Sequence, residues 1–178
     1  MAGHDWKYRL VQSPWGTMAI IARERKLAGV VLPVSGRRLA VCEVSRRRPG
    51  AAVRPELLPR LVRQIRAYFA GRSAKFTAQL DLTELTDFER RVLAACRGIP
   101  AGRVVSYGEL ARKVGRPRAA RAVGRVLATN PLPLIIPCHR VVAADGRLCG
   151  FSARGGLRLK AQLLAHERRY FVQRRPCR

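Results

Sequence analysis

Apolar positions in the first third of the chain come in short runs, and farther on they recur at a helical period. Residues 6–11, 17–23 and 27–32 are rich in Val, Ile, Leu and aromatic side chains. They are separated by Ser13-Pro14-Trp15-Gly16 and by the charged Arg23-Glu24-Arg25-Lys26. Short runs bounded by turn residues predict the strands of a small antiparallel sheet. Arg46-Arg47-Arg48-Pro49-Gly50 reads as a solvated loop. Over 55–69, Leu58, Leu61, Val62, Ile65, Tyr68 and Phe69 fall at helical spacing, while Arg60, Arg63 and Arg66 avoid that face. That is an amphipathic helix, closed by Gly71. Residues 76–80 read as a returning strand, and 81–85 as a link.

Thr86 with Glu89, and Ser106 with Glu109, each set a hydroxyl three residues before a carboxylate. In that arrangement each side chain bonds the other's backbone N–H, which starts a helix. The first helix runs to about Cys96 and is ended by Ile99-Pro100-Ala101-Gly102. The second runs to Val114, where Gly115-Arg116-Pro117 breaks it, and another covers 118–129. Two short helices joined by a Gly/Pro turn predict a helix-turn-helix. On its second helix Arg118, Arg121 and Arg125 lie at i, i+3 and i+7, with Ala120, Val123 and Leu127 on the opposite side. The expected fold class is α/β: a small N-terminal antiparallel-sheet lobe over 1–82 and a mostly helical C-terminal lobe with the helix-turn-helix over 83–168. A basic tail follows over 169–178.

Charge sharpens this picture. The 178 residues carry 36 Lys+Arg against 11 Asp+Glu, a net charge of +25. Such an excess points to a polyanion, most simply nucleic acid, with strongly salt-dependent binding. Because only five of the cations are Lys, Arg-rich codon usage contributes to it as well. Cysteines 42, 96, 138, 149 and 177 are odd in number and irregularly spaced, which argues against a disulfide framework and for a reducing, intracellular compartment. The expected location is the cytoplasm, or the nucleus in a eukaryote. No apolar run reaches membrane-spanning length, the first five residues do not read as a signal peptide, and no Cys/His spacing suggests a metal.

One stretch carries chemistry. Ile135-Ile136-Pro137-Cys138-His139-Arg140-Val141-Val142 sets a thiol, an imidazole and a guanidinium in succession between apolar, β-branched residues. The flanks predict buried extended chain. A lone Cys in such a place is more often packing than chemistry.

Pro137-Cys138-His139-Arg140-Val141 resembles the active-site motif of the O6-alkylguanine-DNA alkyltransferases, the methylated-DNA–protein-cysteine methyltransferases. The resemblance runs from about Thr86 to Glu167. It takes in Ser106-Tyr107-Gly108-Glu109-Leu110-Ala111, Ala119-Ala120-Arg121-Ala122-Val123-Gly124, Asn130-Pro131 and Leu163-Leu164-Ala165-His166-Glu167.

The resemblance implies direct-reversal repair of duplex DNA containing O6-alkylguanine, and of O4-alkylthymine, by a monomer that reacts once and needs no cofactor or metal. The helix holding Arg121 would enter the minor groove, with Arg121 intercalating where the base is flipped out. Ala119, Ala120, Ala122 and Gly124 would permit close approach. The shared face of Arg118, Arg121 and Arg125 points to DNA contact, and Arg125, in place of a small Gly, would either add a phosphate contact or push the helix slightly outward. Cys138 would be the alkyl acceptor, His139 the proton acceptor through a water, and Glu167 the carboxylate that orients His139. Tyr107 would crowd the target phosphate and protonate guanine O6, and Asn130 would act as a hinge. Val141, Phe151 and Ser152 would line the base pocket. The chain departs from the family pattern in having Arg125 for a small Gly, Phe151 for Tyr, Leu93 for Trp, and a longer loop before Gly155-Gly156.

Three other readings compete. A non-enzymatic sensor of alkylated DNA leaves Cys138 unexplained. A cysteine hydrolase using Cys138, His139 and Asn130 leaves the DNA-binding helices unexplained. A helix-turn-helix regulator leaves Cys138, His139 and Glu167 together unexplained.

Overall fold

In the computed structural model, residues 6–172 are described. The chain divides into two compact units, one ending at Glu84 and the other beginning at Leu85.

The N-terminal unit is built on β1 (Lys7–Ser13), β2 (Gly16–Arg23) and β3 (Lys26–Val34), paired antiparallel in sequence order. Gly16 turns the β1–β2 hairpin at φ +121°, and a Cβ there would meet the Val34 carbonyl oxygen at 2.5 Å. All the inner residues of β2 are buried. The middle of the sheet is therefore covered on both faces, and β2 and β3 read as continuous apolar runs, whereas β1 is half-buried. A helix absent from the sequence expectation, α1 (Arg37–Arg47), covers one face, where Ala40 and Val44 pack with Ala19, Ile21 and Val31. β4 (Ala52–Val53) joins β1 in parallel, so the sheet is mixed, in order β3-β2-β1-β4, and not purely antiparallel.

α2 (Pro59–Phe69) forms where the apolar period placed it, burying Leu61, Val62, Ile65, Tyr68 and Phe69. It starts four residues later than expected because Leu58 precedes it in the left-handed region and Pro59 opens it. Residues 76–80 run alongside β3 but pair only at Leu80 with Leu27, an isolated bridge and not a strand.

Two loop expectations are corrected. Arg46 and Arg47 form the last turn of α1, Arg47 donates to the Val30 carbonyl, and Arg48 stacks on Trp6 while pairing with Glu84 at 2.7 Å. Residues 81–84 are held within the N-terminal unit, with Arg23 bonding both Asp81 and Thr83.

In the C-terminal unit both capping boxes form. They open α3 (Asp87–Arg97) at Thr86 and α4 (Tyr107–Lys113) at Ser106. β5 (Val105–Ser106) leads directly into α4 and pairs in parallel with β6 (Val141–Val142). α5 (Ala120–Ala128) follows the Gly/Pro turn, and α6 (Gly156–Glu167) completes the unit. Part of the expected basic tail is packed structure: Arg168–Val172 continues α6 as a π-helical turn. There the rings of Tyr170 and Phe171 meet His166. The remainder of the tail, with Cys177, lies outside the described residues. Among those residues no helix is long and apolar enough to cross a membrane.

Candidate active site

The segment after α5 carries the thiol. Asn130 fixes it at two points: its Oδ1 accepts from the Leu132 N–H at 3.0 Å, and its Nδ2 donates to the Ile136 carbonyl at 2.9 Å. Leu132, Leu134, Ile135 and Ile136 are all buried, and Leu134 is held at φ +75°. Such a conformation is strained for a branched side chain and persists only where its surroundings over-determine it. Replacing Asn130 by Ala removes both bonds and leaves the buried Leu132 N–H unpaired, while the Ile136 carbonyl keeps the Cys138 N–H. The expected loss is about 1–3 kcal/mol in urea unfolding, and an unchanged midpoint would contradict this role.

Cys138–Arg140 is a 3₁₀ turn and not the extended chain expected from its apolar flanks; strand geometry resumes at β6. The turn buries three consecutive side chains, with His139 and Arg140 both directed at Glu167. Cys138 is 7% exposed. Burial pushes its thiol pKa up, opposed by the Asn130 amide, the Lys160 charge, and the backbone N–H groups of Cys138 and His139. The thiol is thus protonated at rest, but it faces groups that favour negative charge on sulfur.

His139 is fully buried, and its Nε2 lies 2.8 Å from Glu167 Oε1. Burial lowers the imidazole pKa more than Glu167 raises it, with Arg140 and Lys160 adding to the lowering. The ring is therefore a neutral base at neutral pH. In that tautomer Nε2–H donates to the carboxylate and Nδ1 keeps its lone pair. Nδ1 is the buried side-chain atom without a hydrogen-bond partner among the described residues.

Glu167 is fully buried too, which overturns the surface reading its place at a helix end invites. Oε1 accepts from His139 and from an Arg140 terminal nitrogen at 2.7 Å. Oε2 accepts from Arg140 Nε at 2.9 Å and from the Gly102 N–H at 3.0 Å. Burial alone would push this carboxyl up. The bonds and charges of His139 and Arg140 outweigh it and hold the group well below the usual carboxylate range. Gly102 sits at φ +75° against Val172, whose side chain leaves no room for a Cβ.

Two supporting residues escaped the sequence reading. Arg140 clamps Glu167 in bidentate fashion and also donates to the Ile99 carbonyl. Lys160, buried on α6, donates to the carbonyls of Val141 at 2.6 Å and Cys149 at 2.7 Å. A signal for it existed: Lys160, Leu163, Leu164 and Glu167 share one helical stripe, so an inward face begins with a cation and ends with a carboxylate.

Tyr107, the first residue of α4, donates from its hydroxyl to the Cys149 carbonyl at 3.2 Å, and its ring faces Gly124 of α5. Burial, then the Cys149 and other thiols, raise its phenol pKa, so it keeps its proton. Phe151 is half-buried. Ser152 Oγ donates to the Ala128 carbonyl, and Val141 is buried in β6. On α5, Val123, Val126 and Leu127 are buried and Arg121 and Arg125 are exposed. Ala119, Ala120, Ala122 and Gly124 are half-buried. Arg118 is exposed but precedes the helix, because Arg116–Ala119 close a turn of their own. It therefore does not share the helical face expected for it. His139 and Glu167 thus bond directly, Asn130 faces the Cys138 thiol, and Tyr107 and Lys160 both bond the Cys149 carbonyl.

Comparison with known proteins yields two sequence profiles. Residues 6–82 match the "6-O-methylguanine DNA methyltransferase, ribonuclease-like domain" and residues 87–169 the "6-O-methylguanine DNA methyltransferase, DNA binding domain". The chain is 40% identical over 164 residues to the methylated-DNA–protein-cysteine methyltransferase of Mycolicibacterium paratuberculosis, covering 92% of this chain and 93% of that protein. The Mycobacterium leprae protein of the same name is 49% identical over 107 residues, 60% of this chain and 63% of that one. The crystal structure of Mycobacterium tuberculosis O6-methylguanine methyltransferase superposes with a TM-score of 0.77 at 35% identity, covering 93% of this chain and 94% of that one. A DNA complex of the protein from that organism gives 0.78 at 36% identity, covering 92% and 94%.

Proposed function

Since the chain belongs to the O6-methylguanine DNA methyltransferase family and is a methylated-DNA–protein-cysteine methyltransferase, we propose that Cys138 is its acceptor, with His139 and Glu167 as base and orienter. The observation that carries this is the buried chain of bonds from Glu167 to His139, with Nδ1 unpartnered, beside a thiol surrounded by Asn130 and Lys160.

The reaction is an in-line displacement. A proton leaves the Cys138 thiol for His139 Nδ1, through a water where the two do not meet. Sulfur then attacks the alkyl carbon, the S–C bond forms, and the bond from carbon to O6 breaks. Tyr107, still protonated, supplies a proton to the departing guanine, and the proton on His139 restores the balance. Arg140 and Lys160 outnumber Glu167 in the cluster, which favours developing charge on sulfur. The product thioether has no bond that water readily cleaves, so each molecule reacts once. The partner is duplex DNA carrying O6-alkylguanine, with O4-alkylthymine accepted by the same chemistry. Arg121 fills the stack behind the flipped base, Arg125 and Arg118 contact phosphate, and Phe151 and Ser152 flank the base. The protein acts as a monomer in the cytoplasm.

A pH profile of single-turnover transfer from an O6-methylguanine duplex tests the base. Because the folded His139 pKa lies below its ordinary value of 6.5, the rate is expected to be level through neutral pH and to fall only on acidification. A rate climbing about tenfold per pH unit toward the ordinary thiol pKa of about 8.5 would show that solvent, and not His139, takes the proton.

A further inference from the structure

The N-terminal unit carries a groove of about 560 Å³ that the transfer reaction does not use. Lys7, Arg25, Arg54 and Arg60 stand around it against one carboxylate, Glu56, over a floor that includes Leu57 and Leu61. Arg25, Arg54 and Arg60 are exposed, and none pairs with a carboxylate among the described residues. Among the other described carboxylates of this unit, Asp81 pairs with Arg23, Glu43 with Arg46 and Glu84 with Arg48, while Glu24 is exposed next to Arg25 in the chain. Arg63 and Arg66 extend the basic face along exposed α2.

We propose that this groove is a second DNA-backbone site, separate from the one on α5, and that it binds the phosphates of duplex DNA without reading sequence. The proposal rests on the chain acting on DNA and adds a contact surface to it. Flexible cations free of carboxylate partners match what phosphate contacts require. Single strands are held by aromatic stacking platforms. No aromatic side chain lines this groove, which selects the duplex backbone over a single strand.

The test uses the full chain and undamaged duplex, with binding followed against salt. The variant Arg25→Gln/Arg54→Gln/Arg60→Gln is compared with a control carrying the same charge change elsewhere in the unit, Arg38→Gln/Arg72→Gln/Lys75→Gln. Each lost phosphate contact lowers the slope of log K against log salt by about 0.9, so the groove variant is expected to lose about 2 to 3 in slope. The control is expected to lose far less. Transfer from a free O6-alkylguanine base should be unchanged in both. Equal slopes in groove variant and control overturn the site, and a larger loss on single-stranded than on duplex DNA overturns the duplex assignment. An Arg121→Ala chain run alongside distinguishes failure here from failure of DNA binding through α5.

Discussion

Glu167→Ala is expected to lower stability by about 3–5 kcal/mol, because it strands the Arg140 guanidinium in a buried place without its counter-charge. Against a usual total of about 5–15 kcal/mol, that removes much of what holds the C-terminal unit. Four hydrogen bonds converge on this carboxylate, from His139, from Arg140 twice and from the Gly102 N–H. Denaturant midpoints measure the loss, and an alanine variant as stable as wild type would contradict the role. Glu167→Gln keeps the shape without the charge. It is expected to fold while slowing transfer on the order of 10²-fold or more, since the orienting anion behind His139 is gone.

The same residues set the acid limit of stability. Glu167 and His139 both have folded pKa values below their ordinary ones. As pH falls, the unfolded chain therefore takes up protons first. Stability is intact above about pH 6.5, declines as unfolded histidine charges, and declines further below the ordinary glutamate value of about 4.3.

Cys138→Ser is expected to abolish transfer altogether while leaving affinity for lesion-bearing duplex within about twofold. A serine hydroxyl fits the same buried place beside Asn130 and Lys160 but offers no comparable nucleophile at neutral pH. Gel-shift and single-turnover assays on the same preparation separate the two properties. Residual transfer in the variant would place the acceptor elsewhere, with Cys149 the alternative, half-buried and with its carbonyl bound by Tyr107 and Lys160.

Local signals in the sequence translated well into structure. Thr86/Glu89 and Ser106/Glu109 are complete in themselves, since a capping box needs only residues three apart, and both helices begin where they say. The apolar period of α2 marked its buried face and its end, though not its start. α1 escaped because Gly36 gives it no side-chain cap and only Ala40, Glu43 and Val44 are buried along it, too few to set a period. β4 is two residues long and pairs in parallel, which no alternation reveals. Around Cys138 the β-branched flanks report burial but not backbone conformation, which is why the 3₁₀ turn is not legible in them.

At the site, Cys138, His139 and Tyr107 stood out by residue type and by motif. Glu167 stood out by motif alone. A carboxylate on the last turn of a helix looks like surface until Arg140, His139 and the Gly102 N–H are seen around it, from positions 27 to 65 residues away in sequence. Arg140 and Lys160 stayed hidden for a related reason: buried cations are rare, and their partners are backbone carbonyls and a carboxylate that only the tertiary fold brings near.

The most direct measurement is the intact mass of the protein after mixing with duplex DNA containing O6-methylguanine, followed by peptide mapping. A gain of one methyl group per molecule, located on Cys138 and not increasing with excess DNA, is the expected result. Tight binding with no gain in mass, or a methyl group on any other residue, would contradict Cys138 as the acceptor.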